Sequence, residues 1–487
     1  MNKSIERFLE KGVRELESSI SRFFEHPEEH GKFVQEVRDI VLRLGIDIVK
    51  EAFEDMDMIL RESAKRRLRW EIVKKDSTAL LTTLGNVRYS KTLYRNKETE
   101  ESCYLLDRLM GMEPYARMTD DAEAAILEEA VETTYQKAGH NACISEEFVS
   151  KKTSMNKVHE LEFPEFNPAL VQEKRVLRYL YIDADEGHIP LQYINKKGDI
   201  VEDSRNYVEP RLVYVYEGVD PDSKGSSILI NPRYFGGIYE GTQDIECLWN
   251  EIYTYIDAVY DIEQIEKIYV NSDAAQWIKN GIDYLPKAEH VLDEYHLKQY
   301  LKQAVYCVED ADDYYTNLYL AIKDGDKREL RTLLKEINKS VYGASEVFDD
   351  KKELMERSHA FLINNFEAAH RRLDGGGGIV GSSTEPHVSH VFAYRMSMKP
   401  MAWSKKGVDK MSRLLIYNYN QGDMLSLVRY QKQKPNKMIV MQEALSRYDI
   451  QLMEKEIRNK NRHAGYLEKF MKVEVPKSIM KGIIWNF

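Results

Sequence analysis

The sequence predicts an α/β core built on a mixed sheet, interrupted by an all-α insertion and preceded by a mainly helical region. Three observations predict it. Apolar residues recur at helical spacing through the first 75 residues, strand-like alternation dominates 178–273, and 296–373 carries almost no strand signal. With 487 residues, 43% of them hydrophobic, the chain has room for a sizeable core and several domains at ~100–200 residues each. The balance of 70 Lys and Arg against 81 Asp and Glu, −11 in all, excludes a uniformly basic, histone-like protein but allows local basic surfaces. Cys103, Cys143, Cys247 and Cys307 form no CxxC or Cys/His cluster, so neither a local zinc site nor a disulfide framework is expected. The start lacks the apolar stretch of a signal peptide and no long apolar run follows, so a cytoplasmic protein with no membrane partner is expected.

Residues 1–75 read as helices, with Ile5, Phe8, Leu9, Val13, Leu16, Ile20 and Phe23 on one stripe and Phe33, Val37, Ile40, Val41 and Leu44 on the next. The end of this region, 61–75, carries seven Lys/Arg against two Glu: a solvated helix face or a nucleic-acid contact. Residues 76–165 follow as a hairpin plus a helix-turn-helix. The hairpin over 80–94 is read around a Gly85–Asn86 turn, with Arg88, Lys91 and Arg95 on or beside it. A helix opens at Thr119, with Asp120, Asp121 and Glu123 in its first turn, and runs to Gly139. After a break at His140–Cys143, a second helix over 145–161 would bury Phe148, Met155, Val158 and Leu161 and leave Lys151, Lys152, Thr153, Asn156 and Lys157 outward. An ordinary helical hairpin produces the same outline.

The prolines of LEFPEFNP (161–168) mark a linker. The first part of the core, 175–295, reads as paired strands over 178–194, strands in 211–219 and 226–241, a helix over 243–260, a strand over 266–273 and another at 290–292. Residues 296–373 form the helical insertion, in four successive patterns. Asp374 and four glycines then make an abrupt, flexible stop; 374–430 completes the core and 431–487 is a C-terminal region. From 401 to 440 the chain is basic again, with eight Lys/Arg against two Asp.

Asp185 follows the strand LYIDA and Asp273 follows IYVNS, where an α/β sheet presents functional groups, although aspartates there also serve as turns or caps. Glu385 lies in SSTEPH after the glycines; its other reading is a first-turn or capping glutamate. Three converging carboxylates would suit Mg²⁺ or Mn²⁺, and two such ions can activate a water or hydroxyl and stabilise the leaving oxygen of a phosphodiester. Glycoside hydrolysis by paired carboxylates stays open at this point. No Gly-Lys-Ser/Thr follows the glycines, so no nucleotide cofactor is expected.

The stretches IDADEGHIPLQ (182–192), YVNSDAAQWIK (269–279), LDEYHLKQYL (292–301) and GSSTEPHVSHVFAYRMSMKPMAWS (381–404) together resemble the DDE transposases with a ribonuclease-H-like core. The closest resemblance is to the Lre-type bacterial insertion-sequence family, related to Mutator-like and hAT elements. TTLGNVRYSKTLYRN (82–96) through FVSKKTSMNKVHEL (148–161) is similar to that family's amino-terminal part, so the resemblance covers most of 75–425. It implies a transposase that cleaves at insertion-sequence ends and transfers strands into target DNA. Asp185, Asp273 and Glu385 would be its catalytic and metal-binding acids, holding two Mg²⁺ or Mn²⁺ ions. Asp183, two residues earlier on the same strand face, is the other candidate for the first acid. Asp293 and His296 match the DxxH signature, and His188 is a further candidate for support near the first acid. Trp403 either stacks on an unpaired base or packs the Glu385 helix onto the sheet. The implied partners are double-stranded DNA (terminal repeats and target) and further copies of the chain on that DNA, at the nucleoid. The alternatives are a non-catalytic DNA-binding remnant and a nuclease on the same core that cuts without joining.

Overall fold

The computed structural model describes residues 3–144, 148–193, 206–222, 228–342, 349–381, 387–398 and 402–432. It divides into two units. The first comprises residues up to Ala130, Thr134–Ser154 and the segment beginning at Met424; the second comprises Val131–Thr133 and Met155–Asp423.

In the first unit, α1 (Val13–Glu25) lies along α2 (His30–Glu62), with Phe23 stacked on Phe33 at 4.8 Å and Arg22 paired to Glu36 at 2.5 Å. A short helix, α3 (Ala64–Arg69), then gives way to β1 (Trp70–Thr82), which pairs with β2 (Gly85–Asn96); β3 (Ser102–Tyr104) completes the sheet. The helical reading of 1–75 is therefore corrected at Trp70. Trp70, Ile72 and Val73 suit a strand, and β2 supplies the ladder from Trp70↔Asn96 onward. The hairpin turn is Thr83–Leu84, not Gly85–Asn86. Thr82 Oγ1 closes it on Gly85 O at 2.9 Å, and Asp121 Oδ2 accepts from Thr83 N (3.0 Å) and Oγ1 (2.7 Å). Leu60, Trp70, Leu80, Val87, Tyr94 and Leu106 form the core between α2 and the sheet.

Two cations of this region are structural. Arg66 is 4% exposed and donates to Leu60 O and Trp70 O, and Lys91 forms a buried ion pair with Asp107. The helix read over Thr119–Gly139 is two, α4 (Asp120–Glu132) and α5 (Tyr135–Asn141), because Thr134 leaves the helix and caps Lys137 N. Next comes α6 (Lys151–His159), shorter than the predicted 145–161. Gly139 O accepts from Val149 N at 2.9 Å, and a Cβ on Gly139 would lie 2.2 Å from Val149 O, so the turn between α5 and α6 requires glycine. Phe148 is not buried, as predicted, but 64% exposed and stacked on His140.

The second unit carries a five-stranded mixed sheet: β4 (Tyr179–Glu186), β5 (Arg211–Tyr216), β6 (Arg233–Gly237), β7 (Lys267–Ser272) and β8 (Ala288–Leu292), in the order β6-β5-β4-β7-β8. The first three are antiparallel neighbours; β7 and β8 run parallel to β4. One face places Leu180, Ile182, Val213, Val215, Ile268 and Val270 against α7 (Gly241–Val259) and α8 (Gln276–Ile282), each fully buried apolar side chain contributing ~1.5–3 kcal/mol. Period-two alternation sends Tyr181, Asp183 and Asp185 to the opposite face.

The insertion is α9 (Glu294–Ala304), α10 (Ala311–Lys323), α11 (Lys327–Tyr342), α12 (Asp349–Asn364) and α13 (Phe366–Asp374), around a core of Leu297, Leu301, Ile322, Leu334, Ile337 and Leu362. The last predicted helical pattern is broken at Asn365. The glycine run is not the flexible stop its composition predicts. Tyr269 Oη donates to Gly377 O (2.7 Å) and Tyr181 Oη to Gly378 O (2.6 Å), while Gly378 (φ 88°) sits where a Cβ would lie 2.4 Å from the Tyr179 ring. Beyond it, α14 (Lys405–Tyr419) packs along β6.

Candidate active site

β4 and β7 are adjacent and parallel, so their carboxyl ends open at the same edge of the sheet. Asp185 is the penultimate residue of β4. Asp273 follows β7 immediately, its Oδ1 accepting from Ala275 N at 2.9 Å. The residue between, Ala274, takes φ 71°, a conformation an L-residue rarely adopts and one that a functional turn can hold under strain. Both acids line one cleft of roughly 330 Å³, with Glu186, His188 and His296. Burial is the main cause that pushes the Asp185 carboxyl up to about 7; the negative charges of Asp273 and Glu186 add to it, against the Glu186 N–H bond and His296.

His296 reaches the cleft from the first turn of α9. Asp293 caps that helix, accepting from both His296 N and His296 Nδ1 at 3.2 Å. The bond to Asp293, then the charges of Asp293, Asp273 and Asp185, raise the His296 pKa, and burial opposes them. The DxxH pair is thus a helix cap and a cleft side chain at once. On the β4 side, Glu186 is held by Arg211 (2.9 Å) and by Trp277 Nε1–H, with Arg211 lying over the Trp277 ring at 5.1 Å. His188 is on the rim, largely exposed and 3.7 Å from Glu209.

Asp183 has a different environment. It is fully buried and accepts from Tyr214 Oη (2.8 Å), Tyr216 Oη (3.0 Å) and Asn271 Nδ2 (2.6 Å). Asn271 Oδ1 in turn accepts from Arg372, whose guanidinium also donates to Leu292 O (2.9 Å) and Val380 O (2.7 Å). Of the two candidates for the first acid, only Asp185 lines the cleft.

Glu385 lies outside the described residues, as does the chain beyond Lys432. Among the described residues no three His, Cys, Asp or Glu side chains gather as a metal-binding group. Trp403 is 3% exposed, donates Nε1–H to Met396 O at 2.9 Å and carries Arg395 over its ring at 5.3 Å. That is a packing position, and the base-stacking alternative is corrected by its burial. Lys151, Lys152 and Asn156 are exposed on α6; Thr153 and Lys157 are half-buried, Thr153 bonding Ser150 at the helix start. The four cysteines are free thiols, and no helix among the described residues is long and apolar enough to cross a membrane.

Sequence reading missed Asn271, Arg372, Glu186 and Trp277. One signal was present: Asn271 precedes Asp273 by the same two residues that separate Asp183 from Asp185. Arg372 gave none, since an arginine near a helix end reads as solvated.

A family model described as "Uncharacterised protein family (UPF0236)" matches residues 30–434. A "UPF0236 protein" of Caldanaerobacter subterraneus subsp. tengcongensis is 32% identical over 393 residues, 81% of this chain and 79% of that protein. A second from the same strain, whose name joins eleven locus labels, is 31% identical over 393 residues, 81% of this chain and 78% of its own length. Among solved structures, a chain of the "Drosophila P element transposase strand transfer complex" aligns at 10% identity over 66% of this chain and 82% of that chain, with a TM-score of 0.24, too slight a likeness to assign a fold.

Proposed function

The chain belongs to the UPF0236 family, and we propose that it is a DNA transposase of the DDE type, acting from a ribonuclease-H-like core. The observation that carries the reading is the meeting of Asp185 and Asp273 in one cleft at the ends of adjacent parallel strands, where Asp185 pays for its charge in burial and in repulsion from Asp273 and Glu186. A cation is the partner that such a pair of oxygen donors, Asp185 buried and Asp273 half-buried, fits. Asp185 and Asp273, with Glu385 as the sequence resemblance implies, would hold Mg²⁺ or Mn²⁺, whose charge favours a deprotonated attacking oxygen and the developing charge on the leaving one. The order of the mixed sheet supports the ribonuclease-H-like assignment. The relative with eleven locus labels supports mobility, because one sequence at many loci is what self-propagating DNA leaves.

In this reading Asp293 fixes the His296 ring through Nδ1, so that His296 brings positive charge to the carboxylates and Nε2 is the nitrogen left for substrate. Arg211 and Trp277 hold Glu186 to one wall. Lys151 and Lys152 grip backbone phosphate and add affinity without reading sequence.

The test incubates the purified full chain, Mn²⁺ or Mg²⁺, a labelled duplex carrying the DNA that flanks the gene, and a supercoiled target. Cleavage at the element end followed by joining to target is expected. Cleavage without joining would favour the nuclease alternative, and end-binding with no cleavage the remnant; either overturns the proposal.

A further inference from the structure

We propose that Arg372 is a positioning residue that sets the spacing of the acidic strand ends, acting through a buried polar network with Asn271 and Asp183. The inference rests on the cleft being the reaction centre. Its basis is a regularity of connection. Arg372 sits on the last turn of α13, outside the sheet, yet its three nitrogens reach three separate segments. Nη2 donates to Asn271 on β7, two residues before Asp273. Nε donates to Leu292 O at the end of β8, next to Asp293. Nη1 donates to Val380 O, just beyond the glycine run. Through Asn271 Nδ2 the connection continues to Asp183 on β4, two residues before Asp185. Asp185, Asp273 and the cap of His296 each lie one or two residues downstream of a member of this network.

The chemistry of the members suits the task. A guanidinium is a planar fork whose donors leave in fixed directions, so three acceptors bound to it are held at fixed mutual angles, which a lysine ammonium does not impose. Asp183 and Arg372 are both buried, 0% and 8% exposed, and each balances the charge of the other across Asn271. Tyr214 and Tyr216 also donate to Asp183, so the carboxylate is fixed by β5 as well as by β7. A neighbouring cation on the same helix supplies the contrast. Arg371 also clasps β8, through His290 O (3.1 Å) and Glu289 (3.2 Å), but touches no member of the network.

Arg372→Lys, Asn271→Ala and Arg371→Met are compared in the full chain by thermal melting, Mn²⁺ calorimetry and peptide-level hydrogen exchange. Positioning predicts that Arg372→Lys and Asn271→Ala weaken Mn²⁺ binding by roughly 10–100-fold and speed exchange at both 183–186 and 271–275, while Arg371→Met lowers the melting temperature and leaves both readouts unchanged. Asn271→Ala keeps Arg372 with its two carbonyl contacts, so the inference stays testable if Arg372→Lys does not fold. Equal effects of the Arg371 and Arg372 variants, or unaltered exchange at the strand ends, would overturn it. If the wild-type chain neither binds Mn²⁺ nor cleaves DNA, the transposase reading fails by itself, and the exchange comparison still decides whether Arg372 sets the strand ends.

Discussion

Asp183 and Asp185 stand two residues apart on the same face of β4, and the first is enclosed by three hydrogen-bond donors while the second lines the cleft beside Asp273. Two chemically identical groups thereby take opposite roles in stability, and the difference is measurable.

Asp183→Asn is expected to lower stability by ~3–5 kcal/mol, because it removes the strongest of the counter-charges acting on the buried Arg372 guanidinium. Asp185→Asn removes a charge that the cleft disfavours and is expected not to lower stability at neutral pH. Urea denaturation of the two variants at pH 7.5 separates them; a similar loss in both would refute the distinction.

The cost of ionising Asp185 makes stability depend on pH. Its carboxyl titrates at about 7 in the folded chain, whereas an unfolded aspartate titrates at ~3.9. Between these values the folded state holds the proton and the unfolded state does not, so this contribution falls as pH rises from about 4 to 7 and is fully lost above that. Burial sets most of it, and the charged groups that face the carboxyl are Asp273 across the cleft, Glu186 beside it and His296 from α9. Asp185→Asn should therefore stabilise the metal-free chain by up to a few kcal/mol at pH 8 and by nothing near pH 4, as followed by thermal melting across that range.

Mn²⁺ or Mg²⁺ should raise the melting temperature of the wild-type chain above pH 7, with ~2.7 kcal/mol of stabilisation at a hundred times the dissociation constant. Asp185→Asn and Asp273→Asn should each abolish the increment and DNA cleavage together while leaving end-binding intact. An increment that survives in both variants would place the cation elsewhere.

Trp403→Ala is expected to cost ~3–5 kcal/mol, with activity lost in parallel as the chain unfolds. A variant of unchanged stability and slowed strand processing would restore the base-stacking role.

Lys151→Ala and Lys152→Ala remove exposed cations from α6. Each should weaken DNA binding regardless of sequence and make the plot of log K against log salt shallower by roughly 0.9 for each phosphate that is no longer neutralised. Anisotropy titrations across salt concentrations check the slope.

The sequence by itself determined the alternation of elements and the place of two aspartates at strand ends, because both are local. Period-two alternation ending in aspartate marks β4 and β7, and helical spacing marks α7 and the insertion. Asp293 and His296 came out as a pair only through the family resemblance, and the cap that joins them is seen in the structure. Tertiary structure decided what depends on the surroundings. Strand pairing moved the boundary at Trp70 and the turn at Thr83–Leu84, because a ladder partner outweighs local propensity. Tyrosine hydroxyls from β4 and β7 fastened a glycine run that composition reads as loose. Above all, only packing separated Asp183 from Asp185. Spacing places both on one face, but a carboxylate's role is set by whether donors or a cleft surround it, and those donors come from β5, β7 and, through Asn271, from Arg372, 189 residues further along the chain than Asp183.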